Sequence, residues 1–128
     1  MADLTDNPHA KEAAARWPEQ YAESNRRLAK LSKDEQQRIF DAHGIIASKL
    51  ADEFNSGSAV DSSQVQELIG EHYRWICNFW TPGQAAYVGL GEMYVADERF
   101  AANYDKFATG LADFMRQAMR QYAFAQLG

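Results

Sequence analysis

Val65, Leu68, Ile69, His72, Trp75, Ile76 and Phe79 recur in steps of three and four residues, which places them on one face of a helix. The same rhythm runs on either side. Ile39, His43, Ile46, Leu50 and Phe54 repeat at helical spacing, and Leu111, Phe114, Met115, Ala118, Met119 and Tyr122 form a further apolar stripe. The Val, Ile and Thr alternation typical of strands is missing. Such stripes can be buried only against one another, so the sequence predicts an all-α chain of about five to seven helices.

Local signals set the expected boundaries. Ser32 with Glu35 three residues on is a capping box, and it predicts a long helix reaching about Phe54. The polar run from Asn55 to Ser63 reads as a loop. Thr81-Pro82 resembles a cap followed by a first-turn proline, opening a helix with Tyr87, Leu90 and Tyr94. Asp97 caps a short segment with Phe100, Tyr104 and Phe107, and Gly89 and Gly91 inside the helical pattern suggest close helix approach. Towards the start, Asn7-Pro8 and Pro18 each open a short helix. Those two helices have little beyond Trp17, Tyr21, Leu28 and Leu31 to bury, so residues 1–31 are expected to be the least stable part.

Composition excludes several classes. A chain of 128 residues, 46% of them hydrophobic, is long enough for one domain with a real core. Its net charge of −5 and the isolation of its Arg26, Arg27 and Lys30 cluster argue against nucleic-acid binding, which needs a basic stripe to neutralise phosphates. That cluster reads as a solvated helix face. No apolar run has the length of a membrane span, and no secretory leader is evident. A single cysteine, Cys77, allows no internal disulfide and fits a reducing cytoplasm.

Chemistry is sparse. His9, His43 and His72 lie in separate predicted elements without a neighbouring ligand at metal spacing, so no metal and no cofactor are expected. A histidine on an apolar face is usually a hydrogen-bonded core or pocket residue. Haem ligation by His43 or His72 is open in principle, but histidine among aromatics is weak support for it. Cys77 has no base placed to activate it, and no phosphate loop surrounds Gly89 and Gly91. No catalytic group emerges, and the chain is read as a non-enzyme. What stands out is an aromatic surplus: Trp75, Phe79, Trp80 and Tyr87, then Tyr94, Phe100, Tyr104 and Phe107. Pattern alone leaves a plain core and a ligand cleft equally open.

The string LGEMYVADERFAANYDKFATGLADFMRQAM, from Leu90 to Met119, carries a more specific signal. With the spacing of His72 and Ile76 and the Arg16-Trp17 and Tyr21 opening, it closely resembles the TipAS antibiotic-recognition domain of MerR-type regulators. The resemblance implies a globin-like helical domain without haem over 1–128, with 1–31 as a mobile lid and 32–128 as the body. It implies binding of a small-molecule or macrocyclic peptide antibiotic, thiopeptide- or albicidin-like, for drug sensing or sequestration. The expected contacts are Trp17, Tyr21, His72, Trp75, Phe79, Trp80, Tyr87 and Tyr104. Thiopeptide-binding members carry a cysteine in the turn before this string, whereas here the turn reads Thr81-Pro82-Gly83-Gln84, so non-covalent capture is expected. The isolated domain is expected to be a cytoplasmic monomer that touches neither membrane nor nucleic acid. The alternatives are a protein-interaction module using the aromatic face, or a haem-binding globin-like protein.

Overall fold

The computed structural model describes residues 18–128. In chain order it contains α1 (Pro18–Ala29), α2 (Lys33–Asn55), α3 (Ser63–Ile76), α4 (Gln84–Ala96), α5 (Glu98–Asp105) and α6 (Leu111–Gln126). No strand occurs among the described residues. The helix expected after Asn7-Pro8, and with it Trp17, lies outside them.

Capping chemistry places most helix starts. At α2 both arms of the capping box form: the Glu35 amide donates to Ser32 Oγ and the Ser32 amide to Glu35 Oε1, each at 3.1 Å. Ser62 caps α3 by accepting from the Val65 amide, and Asp97 caps α5 by accepting from the Arg99 amide. The start of α6 is a backbone device. Gly110 takes φ of +92°, and Asp105 Oδ1 accepts from the Ala112 amide at 2.9 Å. A methyl at Gly110 would also lie 3.3 Å from Phe54 Cζ. Gly110→Ala is therefore expected to cost about 1–2 kcal/mol, measured as a lower urea midpoint with an unchanged slope.

The Thr81-Pro82 expectation is corrected. Helix α4 starts at Gln84 behind Gly83. Thr81 and Pro82 are occupied elsewhere: Thr81 Oγ1 accepts from Arg27 Nη1, and the Pro82 carbonyl accepts from the Tyr73 hydroxyl at 2.7 Å. Helix α3 also ends earlier than its stripe suggested, at Ile76, so Phe79 and Trp80 belong to the turn that follows.

Helix α4 packs along α6, and α2 lies beside α3. A Cβ at Gly91 would sit 3.3 Å from the Arg116 Cα, so the missing side chain is what lets α4 and α6 touch backbone to backbone. Gly89, by contrast, faces open space, and the close-approach reading fails for it. Leu50, Val65, Ile69, Tyr87, Leu111, Met115 and Met119 are fully buried between these helices.

Candidate functional site

The core of this apolar bundle holds a polar cluster. His72, on the inner face of α3, is 1% exposed. Its Nδ1 lies 2.7 Å from the Tyr87 hydroxyl of α4, and its Nε2 lies 3.2 Å from the Tyr104 hydroxyl of α5. The Tyr104 hydroxyl donates to that of Tyr94 at 3.2 Å, and His43 Nε2 of α2 approaches the same Tyr104 oxygen at 3.0 Å. With the Tyr104 proton given to Tyr94, the tautomers follow. The only proton of Tyr104 points at Tyr94, so both histidines meet its oxygen as Nε2–H donors. Nδ1 of His72 then accepts from Tyr87. Both histidines fit these roles as neutral rings, and the Tyr94 hydroxyl lies a further 3.4 Å from His72 Nε2.

Burial enforces that neutrality. It pulls the pKa of His72 down to about 3, with a smaller push from nearby His43. Burial, then the charge of Lys106, lowers that of His43 as well. Among the tyrosines, burial raises Tyr94 to about 12 and pushes Tyr87 and Tyr104 upward too. A cluster so held is a poor acid or base near neutral pH, but it fixes the rings in place. No group of three or more potential metal ligands exists among the described residues, and none of their helices is long and apolar enough to cross a membrane.

A wall of half-buried rings lies against this cluster. The His43 ring packs on Trp75 with centroids 4.8 Å apart, and Trp75 meets Phe79 edge-on at 5.0 Å. The indole Nε1–H of Trp75 donates to the Ile39 carbonyl at 2.7 Å, which locks the ring's orientation. Of the expected contact residues, the structure thus joins His72, Tyr87 and Tyr104 as buried support and brings Trp75 and Phe79 to the edge. Trp80 packs partly buried on the core, with no ring contact to the cluster among the described residues. Tyr21 is half-buried on α1. His43 and Tyr94 belong to the cluster but were not among the expected contacts. The signal for both was present, since each is a hydrogen-bonding residue on an apolar stripe.

Helix α1 is tied to the end of α3. Arg27 Nη1 donates to the Cys77 carbonyl at 2.7 Å and to Thr81, while its Nε pairs with Glu23. Arg27 therefore leaves the solvated basic face expected from sequence; Arg26, which is exposed, stays on it. Gln36 adds a second tie by donating to the Leu28 carbonyl at 2.7 Å. A separate hollow of about 510 Å³ between α3 and α6 is lined by Glu67, Glu71, Arg74 and Tyr122, among others. None of the expected contact residues lines it.

Fold and wall together are those of a helical recognition domain. The chain belongs to the family of the TipAS antibiotic-recognition domain, whose model matches residues 9–122. It is 31% identical over 122 residues to the HTH-type transcriptional activator TipA of Streptomyces coelicolor, a match covering 93% of this chain and 48% of that protein. The regulator SkgA of Caulobacter vibrioides is 35% identical over 80 residues, or 61% of this chain and 31% of SkgA. The chain thus spans about half the length of the TipA relatives it matches. Among solved structures, TipAS from Streptomyces lividans in complex with nosiheptide superposes with a TM-score of 0.84 at 29% identity, covering 99% of this chain and 90% of that one. The globin-like helical architecture is shared.

Proposed function

We propose that this domain captures bulky, aromatic peptide-type antibiotics of the thiopeptide or albicidin kind without forming a covalent bond, and serves drug sensing or sequestration. The observation that carries this reading is the partly exposed wall of His43, Trp75 and Phe79, held by a hydrogen-bonded polar core. It lies in the fold that, in the Streptomyces lividans relative, holds nosiheptide. Flat heterocycles stack on such rings, and rings fixed in advance lose little freedom on binding. Burial divides those expected contacts that lie among the described residues into two roles, and Trp17 is kept with the first group from the sequence reading. Trp75 and Phe79, with Trp17, Tyr21 and Trp80, are the candidate ligand contacts, while His72, Tyr87 and Tyr104 hold the wall from behind. Residues 1–31 serve as the lid over the body, and the described part of that lid is anchored through Arg27. The domain acts as a cytoplasmic binding protein and not as a catalyst. The relatives' names point to a role inside HTH-type regulators.

Titration with nosiheptide, followed by tryptophan fluorescence, tests the reading. A saturable quench is expected, and Trp75→Leu weakens binding by about 30-fold, as loss of a central aromatic contact does. A silent titration up to about 100 μM, repeated with other polyaromatic peptide antibiotics, would sink it.

A further inference from the structure

Affinity for flat aromatic ligands can come from rings alone, but orientation within a cleft requires a polar atom facing the ligand. Most polar atoms of this wall are already used. The Trp75 indole N–H is held by the Ile39 carbonyl, and Phe79 has none to offer. The hydroxyls of Tyr87, Tyr94 and Tyr104 are buried within their own network. His43 is different. Its Nε2–H is committed to Tyr104, while Nδ1 has no partner among the described residues. Among the described residues no buried side-chain nitrogen or oxygen lacks a partner, so this Nδ1 reaches the surface. With the proton on Nε2, it presents an unprotonated lone pair at the edge of the ring packed on Trp75.

We propose that His43 Nδ1 is a specificity-determining acceptor that selects antibiotics presenting an N–H or O–H donor beside the ring stacked on Trp75. This rests on the antibiotic-binding reading and adds to it a chemical requirement on the ligand. Amide N–H groups of a peptide antibiotic meet the requirement; a fully substituted aromatic of the same size does not. The titratable groups facing His43 are Tyr104 of α5 and His72 of α3, and the charge that acts on it is Lys106 at the end of α5. No carboxylate of α1 or α6 does so among the described residues. Protonation of His43 turns the acceptor into a donor, so binding of a donor ligand weakens with acid.

The experiment follows nosiheptide affinity by tryptophan fluorescence from about pH 7.5 to 5, with folding checked by circular dichroism at each point. Wild-type affinity is expected to hold near neutrality, then fall by up to about tenfold per pH unit once His43 protonates. His43→Asn keeps an acceptor at the Nδ1 position without a titrating group. It should bind within about threefold of wild type and ignore pH. His43→Gln keeps a group at the Nε2 position to meet Tyr104 but offers nothing at Nδ1; it should bind about tenfold more weakly and also ignore pH. Wild-type affinity that stays level or rises in acid overturns the proposal. So does an undiminished acid fall in His43→Asn, which places the titrating group elsewhere than His43. No binding at any pH overturns the antibiotic reading itself and this inference with it.

Discussion

His72→Leu lowers the stability of the domain by about 2–4 kcal/mol, seen as an earlier urea midpoint. Leucine roughly fills the space, so the loss comes from the hydroxyls. The Tyr87 hydroxyl is fully buried with His72 as its hydrogen-bond partner, and it is left without one. Tyr94 and Tyr104 still bond each other, Tyr104 still meets His43, and they lose less. A second variant should then be more stable than the first. Adding Tyr87→Phe to His72→Leu removes the orphaned hydroxyl and should recover about 1–2 kcal/mol, because an apolar pair costs less than a half-satisfied one. A double variant weaker than the single would show that packing, not hydrogen bonding, dominates at His72.

Mild acid weakens the fold well before carboxylates titrate. His72 keeps a pKa of about 3 when folded, against an ordinary value of 6.5 when the chain is open. Below pH 6.5 the unfolded chain therefore takes up a proton that the native chain refuses. The stability present above that pH is lost as pH falls towards 3, at up to about 1.4 kcal/mol per unit. His43 acts in the same direction. Urea unfolding at intervals between about pH 7 and 5 should show the slope, and His72→Leu should flatten it. A stability that does not change over that range would mean the ring is not held neutral.

The helical class and most helix starts could be read from local chemistry. Ser32 with Glu35, Ser62 and Asp97 act within one helical turn, and sequence spacing captures interactions of that range. Thr81-Pro82 misled because its neighbours are distant: Arg27 is 54 residues away from Thr81 and takes its hydroxyl. The stripe through Phe79 overran α3 for a related reason. A turn can continue the apolar spacing after the helix has ended, and here Phe79 still reaches Trp75. Sequence reading singled out His72, Trp75, Tyr87 and Tyr104 but could not order them by depth. Which ring lies behind which depends on how α3, α4 and α5 pack, and that is settled by tertiary contacts. His43 was legible as a polar residue on an apolar face, yet its free nitrogen is visible only once Tyr104 has claimed the other.

Helix α5 is eight residues long and could not persist alone in water. Its Tyr104 oxygen nevertheless meets side chains from α2, α3 and α4. The shortest described helix is thereby stitched to three others at a single atom, and it cannot fray from the bundle as an independent unit. Opening it breaks contacts to α2, α3 and α4 together, so the body gives way as one cooperative block and not helix by helix.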